Sequence, residues 1–160
     1  MLQKVKKTKP NLTGGYFAIV ASTYNARYVD SMLRAAKKEL QQAGAQKVQV
    51  VRVPGAYEIP VVAAKLARNS SPPLSAIICL GLILRGATTH AQHIGEAVSN
   101  ALALLQIQTE VPIIHEVLLL ENEQQAKERC LSKEHNRGME AAQTAIEMAR
   151  VMKTLENDEG

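Results

Sequence analysis

The sequence predicts a single-domain α/β protein in which one four-stranded parallel sheet carries helices on both faces. The chain has 160 residues, a length typical of one domain, and 46% of them are hydrophobic. Short continuous apolar runs, typical of strands buried on both faces, alternate with longer stretches of helical apolar spacing. Such alternation implies parallel strands joined by right-handed crossovers, and hence a three-layer sandwich that is flavodoxin-like in outline.

The first half of the chain supplies two strands and two helices. In order, the pattern predicts a strand over residues 16–21, a helix capped at Asn25 and stopped at Gly44, a strand over 48–53 and a helix over 59–67. The second proline of that region, Pro60, is tolerated because it falls in the first turn of the helix.

The second half repeats the alternation and ends with two helices. It predicts a strand over 74–80, a Gly-flanked loop over 81–89, a helix with an apolar stripe from Ile94 to Leu105, and a strand over 111–119. Asn122 with Gln125 resembles a capping box for a short helix, and Gly138 precedes the last helix. The predicted order is therefore β-α-β-α-β-α-β-α-α.

Charge and composition argue against several classes of function. The formal net charge is +4, much of it within the first ten residues, so we expect a flexible basic tail over 1–12, a folded domain over 13–156 and a short tail over 157–160. A solvated tail is favoured over a nucleic-acid contact, and 3% aromatic residues argue against stacking of single strands. No apolar run approaches the roughly 18 residues of a membrane span. Cys79 and Cys130 form no metal or redox motif and suit the cytoplasm.

Doubly wound sheets bind ligands at the carboxyl ends of their strands, so the segments that follow the strands are the candidate site. Four segments qualify, and we expect them to converge on one rim: 22–25, 53–60, 81–90 and the pair His115-Glu116.

The segment after the third strand is the most informative. Gly86 allows close backbone approach, and residues 87–89 open a helix whose unpaired N–H groups and dipole favour an anion. Neither the P-loop pattern nor GxGxxG is present. His90 stands in the first helical turn, and an ordinary pKa of about 6.5 suits proton transfer. The alternative is that Thr89 is a simple N-cap and His90 a surface histidine.

Three other features allow a functional and a structural interpretation. Glu58 at a helix start either contacts a ligand or only stabilises the first turn. Tyr24 either stacks on a flat heterocycle or packs in the core. The basic residues Arg129, Lys133 and Arg137 either clamp a phosphate or hydroxyl groups, or form a solvated basic face.

Together these segments resemble a known family. The resemblance is carried by VPGAYEIP at 53–60, GATTH at 86–90, and NRG at 136–138 followed by Glu140 and two alanines. They are similar to the signature segments of lumazine synthases, the 6,7-dimethyl-8-ribityllumazine synthases of riboflavin biosynthesis. The resemblance runs from about residue 16 to residue 152.

The resemblance implies a transferase that works without a metal or cofactor. Its small-molecule substrates would be 5-amino-6-(D-ribitylamino)uracil and 3,4-dihydroxy-2-butanone 4-phosphate. An amine attacks the ketone to give an imine, phosphate leaves, and the ring closes with loss of water to give 6,7-dimethyl-8-ribityllumazine. This is the penultimate step of riboflavin biosynthesis.

The resemblance also assigns roles. His90 shuttles protons, while Thr88, neighbouring N–H groups and Arg129 of an adjacent subunit hold the phosphate. Tyr24 stacks on the pyrimidine, whose edge pairs with the backbone around Leu82, Ile83 and Leu84. The remaining implied substrate contacts are Ala56, Tyr57, Glu58, Ala87, His115, Lys133 and Arg137.

Partners follow from the resemblance too. It implies a homo-oligomer of at least a pentamer, or an icosahedral assembly of pentamers, with riboflavin synthase as a candidate partner. We expect no nucleic-acid or membrane partner. The other candidate functions are a non-catalytic flavin- or lumazine-binding member and a flavodoxin-like regulatory module.

Several positions depart from the family pattern. His115-Glu116 replaces the usual Phe-Gly, leucines fill 118–120 in place of a Thr-rich stretch, and Arg137 replaces a lysine. The usual Gly-Thr-Lys reads Leu131-Ser132-Lys133. We expect a titratable His115 near the pyrimidine ring to shift the pH optimum.

Overall fold

The computed structural model describes residues 14–158, and the predicted order of elements is confirmed. The predicted tail over 1–12 lies outside the described residues, and the domain limits stay a prediction. A single 3-10 turn, Ala56–Glu58, precedes α2. The elements are β1 (Tyr16–Ser22), α1 (Ala26–Gln42), β2 (Lys47–Val53), α2 (Ile59–Asn69), β3 (Ala76–Leu84), α3 (His90–Thr109), β4 (Ile113–Leu120), α4 (Glu123–Cys130) and α5 (Arg137–Asp158).

The four strands form one parallel sheet in the order β2-β1-β3-β4. Helices α1, α4 and α5 pack on one face, and α2 and α3 on the other, so the predicted three-layer architecture is confirmed. The central strand β1 is buried on both faces: Ile19 belongs to the core under α1 and α5, and Val20 to the core under α2 and α3. This double burial explains why β1 reads as a continuous apolar run.

Helices α1 and α5 cross in very close contact. A Cβ added at Gly138 would lie 2.0 Å from the carbonyl oxygen of Met32, so glycine is required there. Asn136, which is 6% exposed, caps α5 by accepting the Gly138 N–H at 2.8 Å. Its Nδ2 donates to the Cys130 carbonyl at 2.8 Å, which also accepts Ser31 Oγ–H at 2.6 Å. This network ties α1, α4 and α5 together.

The structure corrects the predicted loop over 81–89. Residues 81–84 continue strand β3 and pair with Val117–Leu120 of β4, although β1 already ends beside Leu80 and Gly81. The physical reason is that the apolar run 82–84 faces an equally apolar run, 118–120, and the two strands extend together past β1. The loop is therefore only residues 85–89.

Two predicted caps behave differently from the sequence pattern. Asn25 precedes α1, but its φ of 59° is left-handed and its side chain does not cap the helix, because Nδ2 donates to the Leu82 carbonyl at 2.7 Å. Asn122 accepts the Gln125 N–H at 2.9 Å, while Gln125 Oε1 accepts from Glu121 rather than returning to Asn122, so only half of the box forms. Gly44, with φ 95°, follows the end of α1 as predicted.

Candidate active site

The loops after β1 and β2 meet at the carboxyl rim and present two aromatic rings. Backbone N–H groups of Thr23 and Tyr24 donate to the carbonyls of Val53 and Pro54 at 2.7 and 3.0 Å. The Tyr24 ring lies against Gly55, where an added Cβ would be 3.0 Å from Cδ2. Tyr24 and Tyr57 are 66% and 62% exposed. Tyr24 is therefore not a core residue, and both rings are accessible to a flat ligand.

Glu58 stands beside the Tyr24 ring. Its Oε2 accepts the Gly55 N–H at 3.0 Å, so the stabilising interpretation of this carboxylate is confirmed. The side chain is nevertheless exposed, and a carboxylate has lone pairs to spare for a second donor. Glu58 thus both stabilises the loop and faces the rim. The half-buried Ala56 lies in the same turn.

The extension of β3 past β1 leaves one backbone edge unpaired by a strand. Asn25 occupies the Leu82 carbonyl on that edge, and the backbone groups of Leu84 point to the same side because strand residues alternate. The backbone groups of Ile83 and Arg85 point to the opposite side, towards β4. The Arg85 N–H accordingly donates to the Leu120 carbonyl at 2.9 Å. Of the three predicted backbone positions, the edge therefore offers Leu82 and Leu84.

The loop 85–89 and the start of α3 are open to solvent. Ala87, Thr88, Thr89 and His90 are all exposed, and a Cβ at Gly86 would meet nothing within 4 Å. The Thr89 side chain makes no capping bond, contrary to the simple cap considered above; instead Thr88 Oγ1 accepts the His90 N–H at 3.4 Å. The helix N-terminus with its positive dipole end is thus available to an anion beside an accessible imidazole.

His115 does not reach this rim, which corrects the expected convergence of all four segments. It is the third residue of β4 and pairs in register with Cys79, because β4 continues to Leu120. Its Nδ1 accepts the Val117 N–H at 3.1 Å, so Nε2 carries the proton towards Ser99 Oγ at 2.8 Å. Ser99 lies nine residues along α3 from His90, roughly 14 Å by the rise of the helix. Burial lowers the pKa of His115, which keeps the ring neutral.

The predicted basic residues lie across the sheet from His90. Arg129 and Lys133 belong to α4 and the connection after it, on the α1 face, whereas His90 opens α3 on the opposite face. Arg137 opens α5 and forms ion pairs with Glu116 and Glu140 at 3.3 and 3.1 Å. Within one chain, the rim residues and the basic residues therefore form two separate groups.

Sequence reasoning missed two residues of this arrangement. Asn25 was identified as a cap, yet it joins two rim segments; its signal was an asparagine in a position that tolerates the left-handed region. The sequence pattern gives Glu116 as part of a rim segment and as a departure from the family pattern, but not its ion pair with Arg137. A carboxylate inside a largely apolar strand is the signal that indicates such a partner. Burial raises the pKa of Glu116 to about 7, while Arg137 opposes that rise.

Neither a metal cluster nor a membrane-spanning helix is present in the described part of the chain. Residues 14–158 hold no group of three or more His, Cys, Asp or Glu side chains placed to bind a metal ion. No helix among them has the length and apolar character needed to cross a membrane.

The fold and the rim define a doubly wound α/β protein with a candidate small-molecule site at the carboxyl ends of its strands. A family model described as 6,7-dimethyl-8-ribityllumazine synthase matches residues 14–153. A protein of that name from Clostridium kluyveri is 37% identical over 155 residues, covering 96% of this chain and 99% of the relative. Another from Desulfotalea psychrophila is 41% identical over 145 residues, covering 89% and 92%. The chain belongs to the 6,7-dimethyl-8-ribityllumazine synthase family.

Proposed function

We propose that this chain is a transferase that condenses 5-amino-6-(D-ribitylamino)uracil with 3,4-dihydroxy-2-butanone 4-phosphate to 6,7-dimethyl-8-ribityllumazine. One observation carries the proposal beyond family membership: the two signature segments, 53–60 and 86–90, lie on the same rim, with an accessible imidazole at the opening of α3. This reaction is the penultimate step of riboflavin biosynthesis.

His90 is the proton shuttle in this proposal. It accepts and returns protons as the imine forms, as phosphate is eliminated and as the ring closes with loss of water. The exposed N–H groups of the α3 N-terminus, with Thr88 and Ala87, take the phosphate. Because the reaction is limited largely by proximity and proton timing, a preorganised rim with one titratable group supplies the catalysis.

The pyrimidine and its ribityl chain occupy the other rim segments. The Tyr24 ring stacks on the heterocycle, the unpaired edge of β3 at Leu82 and Leu84 pairs with it, and the turn Ala56–Glu58 contacts the ribityl chain. The bond from Asn25 to Leu82 holds two of these segments in place before substrate arrives.

We propose a homopentamer, or an assembly of pentamers, in which the site is shared between subunits. Two observations support this. The basic residues Arg129, Lys133 and Arg137 lie across the sheet from His90, so they complete a neighbour's site rather than their own. Helices α2 and α3 also expose apolar side chains, at 70%, 55% and 74% for Val61, Leu104 and Ile107. Light scattering tests this proposal, and a monomer at working concentration contradicts it.

The location and partner are also proposals. The free buried thiols of Cys79 and Cys130 suit the cytoplasm, where we place the enzyme. Riboflavin synthase is its proposed partner because that enzyme consumes the product. Co-sedimentation of the two proteins tests the association, and separate migration at micromolar concentration contradicts it.

A condensation assay followed by lumazine fluorescence tests the reaction. Since the two substrates also react without protein, a blank runs beside the enzyme. His90→Ala is expected to lower the rate about 10²-fold or more, the usual contribution of a positioned acid–base group. His93→Ala is the matched control: His93 is also an exposed histidine on the same helix, and its loss should keep the wild-type rate. A wild-type rate equal to the blank, with the lumazine still bound, would instead indicate the non-catalytic ligand-binding member.

A further inference from the structure

Glu116 is a carboxylate in an edge strand whose other residues, apart from His115, are apolar. Its neighbours in β4 on the same face, Ile114 and Leu118, join the core under α1 and α5, and its own side chain is only 12% exposed. Burying a carboxylate costs several kcal/mol unless it is paired, and apolar replacements of buried ion pairs are often neutral or stabilising. Stability alone therefore gives no reason for a glutamate at this position.

The partner of Glu116 is Arg137, whose guanidinium is held from two sides. Nε lies 3.3 Å from Glu116 Oε2, and Nη1 lies 3.1 Å from Glu140 Oε2. The Glu140 contact is a hydrogen bond, whereas Nε and Glu116 Oε2 are buried atoms that meet only as an ion pair. With one carboxylate at each of two nitrogens, the planar guanidinium is restrained from both sides. The shortest contacts of the two ion pairs are made by Nε and Nη1, and the Arg137 side chain is still 36% exposed, so the residue is accessible to a ligand.

We propose that Glu116 is a positioning residue that presents the outer edge of Arg137 to the hydroxyl groups of the ribityl-bearing substrate. The proposal rests on the proposed function, which supplies that substrate and places Arg137 at a neighbour's site. A guanidinium held in one orientation loses less entropy when it binds an oxygen-rich ligand, so the benefit appears as affinity.

The same arrangement makes the affinity depend on pH. The groups that face Glu116 are Arg137 and Glu140 of α5 and Cys130 of α4, which burial keeps as a thiol with a pKa of about 11. Burial raises the pKa of Glu116 itself to about 7. As the pH falls through this value, the carboxylate gains a proton, its attraction for Arg137 is lost, and the guanidinium is released from one side.

The experiment measures binding of 6,7-dimethyl-8-ribityllumazine by fluorescence titration, together with KM and kcat, at pH 6 and pH 8. Glu116→Gln keeps the size of the side chain and removes the charge. We expect it to weaken lumazine binding about tenfold at pH 8, a change equivalent to one charge-assisted contact, with a smaller effect on kcat. Wild-type binding should weaken from pH 8 to pH 6, and the variant's should not.

Two further variants separate positioning from a general loss of packing. In an Arg137→Gln background, Glu116→Gln should have no additional effect, because the residue acts through Arg137. Glu147→Gln removes an i,i+3 ion pair elsewhere on α5, with Arg150 at 3.0 Å, and should leave lumazine binding unchanged.

The possible failures are distinguishable. If the wild type binds the lumazine but shows no turnover, the proposed function fails while the titration still tests Glu116. If affinity and its pH dependence are the same in wild type and Glu116→Gln, or if the two substitutions add, the positioning role is wrong. If the wild type neither turns over nor binds, both proposals are overturned.

Discussion

Replacing Gly138 with alanine should strongly destabilise the protein. The new Cβ would lie 2.0 Å from the Met32 carbonyl oxygen, and 2.5 and 2.6 Å from its C and Cα atoms. All three are backbone atoms of α1, so no side-chain rotation relieves the clash, and the two helices must separate by roughly 1.4 Å to reach ordinary contact. Overpacking typically costs ~1–3 kcal/mol, and a backbone obstacle places this case at about 3 kcal/mol or more.

The matched control is Gly95, the other glycine that lies within a helix of the described residues. There an added Cβ would lie 3.4 Å from a Leu119 methyl carbon, which is ordinary contact. Gly95→Ala should therefore be neutral or stabilising by roughly 0.5–1 kcal/mol, because alanine is favoured over glycine in helices.

Thermal unfolding followed by circular dichroism compares the two variants at equal protein concentration. At about 2–4 °C per kcal/mol for a chain of this size, Gly138→Ala should lower Tm by roughly 6–12 °C, and Gly95→Ala should raise it slightly. A Gly138→Ala protein that melts within about 2 °C of the wild type would refute the close α1–α5 crossing.

Three further predictions concern the network around α5 and strand β4. Asn136→Ala should lower the free energy of unfolding by about 1–3 kcal/mol in urea titrations, because the α5 cap and the bond to Cys130 are both lost; an unchanged midpoint contradicts this. The folded-state pKa of Glu116, about 7, exceeds its ordinary 4.5, so wild-type stability falls as the pH rises between these values. Glu116→Gln should therefore gain stability relative to the wild type from pH 5 to pH 8. A stability difference that stays constant over this range contradicts the raised pKa of Glu116. Burial lowers the folded-state pKa of His115 below its ordinary 6.5, so wild-type stability is lost as the pH falls through this range and protonation breaks the Nδ1 bond to Val117; His115→Phe should lose less stability than the wild type at acid pH, and an equal loss contradicts this.

The fold could be predicted because each element carries a local signal that tertiary packing reinforces. The continuous apolar run of β1 and the helical stripe of α3 both correspond to burial in the structure, and Gly44 ends α1 with the left-handed φ that favours glycine. The strand ends were less predictable. Whether residues 81–84 form a loop or a strand depends on β4, whose pairing residues lie 36 positions further along the chain.

The candidate site could be predicted only where its residues lie next to a strand end that local sequence signals already mark. Segments next to strand ends, such as the one holding His90, lie where the topology of parallel sheets requires. His115 was expected at the rim, but its height in the sheet depends on the length of β4, which the leucines at 118–120 extend. The partnership of Glu116 with Arg137 joins β4 to α5 and leaves no periodic signal in the sequence.

The two cysteines offer a way to observe how the layers open. Cys79 lies in β3, one of the two inner strands, Cys130 ends α4, and burial raises their pKa values to about 12 and 11. Because only an accessible thiolate reacts with alkylating reagents, neither residue is modified until the surrounding structure opens. Cys79 lies in the core under α2 and α3 and reacts only when that layer opens, whereas Cys130 lies in the core on the other face and needs only the release of α4. The labelling rate of each thiol therefore reports the rate at which the structure around it opens. The two rates follow two separate openings of the same native molecule, without any introduced probe.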